Sequence, residues 1–321
     1  MAAKKTLRPI SKLSGVDIFK LPPGFYAANT LLNDFDVFGE AGKCQNDCVF
    51  CVEPKFGSMP IKTTRGKKHG QLLIGSRECT TIPGIADIIA LLGEKYKKIS
   101  IGSNGQKFSD IGFADKILAA GVRNISISLH APSRAVHDSL SKRRGAFEKT
   151  LSGIKNIIFL KNKKKYSVNV AVNFVVTKKN IRYIRKFVGF AGSLGVRDVN
   201  FLAMIPMGSA KNIYRKMMPR YQDIAEAVFK IKKTDQSSPI LKKMRIFLVH
   251  VPYCTLPEQD IKNDFRVLIS PRTGQFDEIN GNDLKKICRK CRFYAYCEGM
   301  PKDYATLYNK ETKGAIKRFV A

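Results

Sequence analysis

A chain of 321 residues with 44% hydrophobic content is long enough to bury a large core, as one domain or as one domain with a smaller appendage. It contains no apolar run long enough to span a bilayer, and its start, Met1-Ala-Ala-Lys-Lys, lacks the apolar stretch of a signal peptide, so a cytoplasmic protein with no membrane partner is expected. Lysine and arginine number 57 against 26 acidic residues, a net charge of +31, yet the basic runs are scattered and none has the aromatic interleaving of an RNA-binding surface. Solvated lysine faces are therefore favoured over a nucleic-acid partner, while an anionic substrate stays open.

In chain order the first feature is a cysteine loop, Cys44, Cys48 and Cys51 in CxxxCxxC spacing, with Phe50 just before the last thiol. A strand is expected before it and a helix after it. From about residue 70 to 235, β-rich runs alternate with helical patterns. The expected strands are Gln71–Ile74, Lys98–Gly102, Asn124–Leu129, Ser167–Val176 and Asp198–Ile205. The expected helices are Ile85–Tyr96, Phe113–Ala120, Ala146–Leu160, Ile181–Leu194 and Arg220–Lys232, with Gly121 and Gly195 suited to left-handed caps.

This alternation implies a parallel sheet with right-handed crossovers. About six βα units fit an α/β fold built as a partial (β/α)6 TIM-like barrel, with the cysteine loop at the carboxyl ends of the strands where reactive groups sit. After about residue 236 the pattern changes: residues 266–276 read as strand, turn at Gly274 and strand, followed by more cysteines. The expected organisation is an N-terminal extension over 1–35, the barrel over 36–235, a linker near Thr234–Pro239, and a small cysteine-rich iron–sulfur domain over 240–321.

Of eight cysteines, Cys79 stands alone and the other seven divide into three and four. Clustered cysteines in a large chain of this kind point to metal rather than disulfides. Three thiolates can hold three corners of a 4Fe-4S cube and leave the fourth iron open. Zinc would need a fourth ligand, and no histidine lies near Cys44–Cys51 in sequence. Cys254, Cys288, Cys291 and Cys297 supply four thiols, enough by number for either a closed cluster or a structural zinc.

The Cys44–Cys51 spacing with Phe50 resembles the defining motif of the radical S-adenosylmethionine (radical SAM) superfamily, and the resemblance runs over roughly residues 36–300. It implies a SAM-binding 4Fe-4S cluster on Cys44, Cys48 and Cys51. There the methionine moiety of SAM chelates the open iron, and reductive cleavage gives a 5′-deoxyadenosyl radical that abstracts hydrogen from a substrate. It further implies that Glu78, at the end of the second strand where Ser76 and Arg77 replace the family's glycines, meets the SAM ammonium group. Ser103 and Asn104 resemble the family's Thr-x-Asn-Gly segment. Ser128 and Asn173 would approach ribose and carboxylate, Arg143 or Arg144 the carboxylate, and the Ile205-Pro206 segment the adenine.

The stretch from His130 to Phe147 resembles peptide-modifying and molybdopterin-precursor enzymes. The second cysteine set resembles a SPASM/Twitch extension, shortened because Pro301 stands where a further cysteine is usual and Asp277 and Glu278 stand after the hairpin glycine. One auxiliary 4Fe-4S cluster on Cys254, Cys288, Cys291 and Cys297 is the implied count. The implied substrate is a peptide or protein, with small-molecule cofactor biosynthesis as the alternative and a non-catalytic basic zinc protein binding nucleic acid as the competitor from another class. A reductant such as flavodoxin or ferredoxin is the implied electron partner.

Overall fold

Short runs rich in Ile, Val and Phe build one all-parallel sheet of seven strands: β1 (Asp36–Phe38), β2 (Gln71–Ile74), β3 (Lys98–Ser103), β4 (Asn124–Ser128), β5 (Asn169–Val176), β6 (Asp198–Ala203) and β7 (Arg245–Val249). The computed structural model describes residues 36–38, 43–52, 70–74, 77–94, 96–234, 238–256, 288–291, 294, 297 and 299–317. Strands pair in chain order from β1 to β7, so the winding never reverses. That is the winding of a barrel and not of a doubly wound sheet. β1 and β7 are the two edges of the sheet, which makes the barrel partial, as expected.

The connections run through α1 (Ile85–Gly93), α2 (Ile111–Ala119), α3 (Arg134–Ser141), α4 (Ala146–Lys164), α5 (Ile184–Ser193), α6 (Gly208–Met217), α7 (Tyr221–Thr234) and the short α8 (Pro239–Lys242). Asp110 starts α2 by accepting from the amides of Gly112 and Phe113 at 2.8 and 3.1 Å. Gly153 of α4 lies so close to the Gly105 carbonyl that an added Cβ would stand 2.2 Å from it; only glycine lets α4 seat on the turn after β3. Inside, Phe174 packs edge-on against Phe187 and Phe201 with ring centroids 4.6 and 5.3 Å apart, joining β5 to α5 and β6. At the amino ends of the strands, buried Asp198 of β6 takes two 2.6 Å hydrogen bonds from the Arg245 guanidinium of β7.

The sheet departs from expectation at its far edge. β7 adds a strand beyond the six units expected, and it lies past the expected linker near Thr234–Pro239. Its sequence, Arg-Ile-Phe-Leu-Val, is five residues long and follows Lys242-Lys243, so it carries no alternation to mark it. Helices α3 and α6 were likewise unmarked, both short and polar on their outer faces. The expected N-terminal extension over 1–35, the helix after Cys51 and the hairpin over 266–276 lie outside the described residues. At the other end, α9 (Lys302–Leu307) and α10 (Asn309–Lys317) dock on the barrel helices. The Tyr304 hydroxyl accepts from the Tyr221 amide and the Tyr308 hydroxyl donates to the Met218 carbonyl, both at 2.8 Å. No helix among the described residues is long and apolar enough to cross a membrane.

Candidate functional site

The carboxyl ends of the strands open into a cavity of about 150 Å³. The Cys44–Val52 loop forms one wall, and it is tied down by backbone groups that helix ends leave unpaired. Asp47 and Val49 donate to the Ser141 and Leu140 carbonyls at the end of α3, each at 3.0 Å, and the Ser209 amide at the start of α6 donates to the Cys51 carbonyl at 2.8 Å. Gly208 makes that last contact possible, since a Cβ there would stand 2.6 Å from the carbonyl oxygens of Cys51 and Val52. Side chains complete the seating: the Asn104 amide donates to the Gln45 side-chain carbonyl at 2.8 Å, and Gln106 donates to that of Asn46 at 2.6 Å.

Cys44, Cys48 and Cys51 all line the cavity. Burial, then the neighbouring Cys44 and Cys51 sulfurs, pushes the Cys48 thiol pKa up, and burial also raises that of Cys44. Thiols gathered in this way keep their protons until a cation replaces them. Among the described residues no three His, Cys, Asp or Glu side chains converge on a point as the ligands of one metal ion do. The three thiols instead rim a space, and a soft three-sulfur donor set of this kind fits three corners of an iron–sulfur cluster.

Glu78 is fully buried and does not line the cavity. One carboxylate oxygen accepts from the Thr80 amide and hydroxyl at 3.2 and 2.7 Å and from the Ser103 hydroxyl at 2.7 Å; the other accepts from the Asn104 amide at 2.6 Å. The carboxylate thus holds the Ser103-Asn104 turn in place at the cavity wall. Burial still pushes its pKa up, against those hydrogen bonds. Ser103, Asn104, Ser128, Asn173 and Phe50 line the cavity, whereas Pro206 is buried outside its lining and Arg143 and Arg144 are exposed and do not line it. Ser128, Asn173 and Asn200 stand in register on adjacent strands, and the Asn173 side-chain carbonyl accepts from Asn200 at 2.6 Å. That leaves the Asn173 amide as a donor.

Three cavity residues went unassigned in the sequence. Arg77 lines the wall beside Cys44. His250 follows β7 in the left-handed region, φ 61°, a conformation few non-glycine residues hold. His130 meets Phe50 edge-on at 4.6 Å between ring centroids and stacks on His137 at 5.6 Å. Its Nδ1 accepts from the Val175 amide at 3.2 Å, which fixes the neutral ring with its proton on Nε2. His137 in turn accepts from the His130 amide at 3.2 Å, and burial lowers its pKa to about 4. A histidine held neutral in the fold stabilises it fully above the unfolded pKa near 6.5 and loses that contribution as pH falls toward 4. Between pH 7 and pH 5, urea unfolding should therefore show His137→Gln losing about 2 kcal/mol less stability than the wild type, while His130 and His250, whose pKa values burial also lowers, contribute their own losses to both proteins.

The four remaining expected ligands also come together. Cys254 sits in the single turn Tyr253–Thr255 just past β7, and it lines a cavity of about 20 Å³ with Cys288, Cys291, Cys297, Tyr253 and Met300. Burial, then Cys297, Cys288 and Cys291, raises the Cys254 thiol well above its ordinary value. Cys291 donates its amide to the Cys288 carbonyl at 2.9 Å, the tight turn that puts both thiols on one side. Four thiols in an apolar setting are enough by number for a closed iron–sulfur cluster or a zinc ion, and like the first three they rim a space and do not close on one point. Buried Cys79 instead donates its thiol to the Gly102 carbonyl at 3.2 Å and belongs to the core.

A partial barrel has a three-thiol loop at the carboxyl ends of its strands and a four-thiol set just past its last strand, the donor sets that an iron–sulfur protein of the barrel class would need. Residues 41–191 match the family model of the radical SAM superfamily. A probable GTP 3′,8-cyclase of Saccharolobus solfataricus is 30% identical over 195 residues, 60% of this chain and 55% of that protein. An AdoMet-dependent heme synthase of Methanosarcina barkeri is 25% identical over 202 residues, 59% of this chain and 56% of that one. The matched segment thus spans little more than half the length of these relatives. Streptococcus suis SuiB, solved bound to its precursor peptide SuiA, shares the fold at a TM-score of 0.50 with 13% identity, over 74% of this chain and 51% of that chain.

Proposed function

We propose that this protein is an enzyme that uses S-adenosylmethionine and a 4Fe-4S cluster held by Cys44, Cys48 and Cys51 to start radical chemistry on a bound substrate. The observation that carries the reading is the convergence of those three thiols on a cavity whose other walls are strand-end hydroxyls, amides and Phe50. Bound there, cluster and SAM would supply reductive cleavage of a carbon–sulfur bond and a carbon radical able to take hydrogen from substrate, with the electron coming from a flavodoxin- or ferredoxin-like partner. The chain's own residues orient and shield. The Asn104 amide lies 3.7 Å from the Cys44 sulfur, and Phe50 and His130 form an aromatic wall beside the loop. Val175, Leu202 and Met204 keep the far wall apolar, which excludes water from reactive species.

Cys254, Cys288, Cys291 and Cys297 would hold one auxiliary 4Fe-4S cluster. Sequence kinship lies with relatives named for small molecules, a GTP cyclase and a heme synthase, while the peptide-bound SuiB shares only the fold. That favours a small-molecule substrate over the peptide implied by the auxiliary cysteines. Metal analysis of anaerobically purified, iron- and sulfide-reconstituted protein tests the donor assignments. Iron and acid-labile sulfide in equal amounts, about eight of each per chain, are expected for two clusters. Zinc in both sites with no sulfide would contradict the reading and favour the non-catalytic zinc protein.

A further inference from the structure

The charge pattern at the end of β2 is the reverse of what an ammonium group requires. Glu78, the carboxylate there, is turned into the core and its two oxygens already take four protein donors. Arg77, its chain neighbour, lines the cavity. No aspartate or glutamate is among the described residues that line this cavity, and Arg77 is the one lysine or arginine among them. Neutral donors line the same cavity: the Asn173 amide, the Ser128 hydroxyl and the His130 Nε2–H, whose proton position the Val175 amide fixes.

From this arrangement we infer that the wall at Arg77 is a subsite for an oxyanion, a carboxylate or phosphate group of the ligand, and not for an ammonium group. The inference rests on the reading of the cavity as the SAM and substrate site. A guanidinium offers a carboxylate or phosphate two parallel N–H donors at fixed geometry, and in a cavity shielded from water such a pair is stronger than on an open surface. The oxyanion has two sources, the methionyl carboxylate of SAM or an anionic group on the substrate. The chemistry of recognition is the same for both.

The test uses full-length, cluster-reconstituted protein and reads binding through the change that ligands make in the electron paramagnetic resonance spectrum of the reduced cluster. Four probes are compared on wild type, Arg77→Gln and Arg77→Lys: SAM, decarboxylated SAM, and pyrophosphate with or without saturating SAM. If the source is SAM, Arg77→Gln weakens SAM binding about ten- to a hundredfold, Arg77→Lys recovers part of it, and decarboxylated SAM binds wild type and Arg77→Gln alike. If the source is the substrate, SAM affinity is unchanged and the pyrophosphate response of wild type is lost in Arg77→Gln.

Unchanged response to every probe in Arg77→Gln overturns the subsite. So does loss of cluster iron from Arg77→Gln with unaltered SAM binding per remaining cluster, since Arg77 would then be a counter-charge to the thiolates. A wild-type cluster whose spectrum ignores SAM altogether contradicts the underlying reading of the cavity instead, and the two failures are thereby separable.

Discussion

Cys48→Ala is expected to abolish both the SAM-binding cluster and all SAM cleavage while leaving the fold intact. Cys48 is the central thiol of the loop, and its pKa is raised by burial and then by the sulfurs on either side, so it keeps its proton until a cation replaces it. With one thiol removed, two remain, and two thiolates do not hold a cubic cluster open at one corner. The backbone of the loop does not depend on that sulfur. Its anchors are the amides of Asp47 and Val49 on the end of α3 and the Cys51 carbonyl on the start of α6. Thermal unfolding of the cluster-free proteins should therefore differ by no more than about 1 kcal/mol between Cys48→Ala and wild type. Iron should fall by about half and 5′-deoxyadenosine production under dithionite to background. Retention of full iron would show that the loop is not the ligand set.

Cys291→Ala should separate the two cysteine sites. Four thiols meet behind β7, and removal of one leaves a three-thiol set around a space lined by Tyr253 and Met300, with no fourth donor among the lining residues. The expected result is a second cluster left open at one iron, more readily lost on gel filtration or chelation than in wild type, while SAM is still cleaved without productive coupling to substrate. Helices α9 and α10 should stay docked, because Tyr304 and Tyr308 tie them to the barrel independently of Cys291. Zinc recovered in place of iron at this site alone would make the second set a structural zinc centre, and a second cluster as resistant to chelation as in wild type would show that Cys291 is not a ligand.

The parts of this architecture that the sequence exposed are those where one chemical requirement governs a short stretch. β2 runs over Gln71–Ile74 as expected, and β4 and β6 begin at Asn124 and Asp198, because each is an apolar run bounded by polar or turn-forming residues. The thiols were legible since few roles other than metal binding put three cysteines within eight residues. β7 was hidden because a buried parallel strand has no alternation, and its five residues sit between Lys242-Lys243-Met244 and a histidine held at positive φ.

The orientation of side chains was beyond reach for a different reason. Whether Glu78 or Arg77 faces the ligand depends on which donors the Ser103-Asn104 turn brings from a strand 25 residues away in the chain. His130 could be located at the end of β4, but its proton position is set by the Val175 amide, 45 residues further on. Pairings of this length are decided by the winding of the barrel, which local composition does not encode.

The central claim is that the Cys44–Cys51 loop and the cavity beside it turn S-adenosylmethionine into a source of radicals. The most direct measurement is anaerobic incubation of the reconstituted full-length protein with SAM and a low-potential reductant, followed by chromatography for 5′-deoxyadenosine and methionine. The account predicts equal amounts of the two products from wild type and from Cys291→Ala, and neither from Cys48→Ala. Reconstituted wild type that carries its cluster, is fully reduced, and still yields no 5′-deoxyadenosine would contradict it.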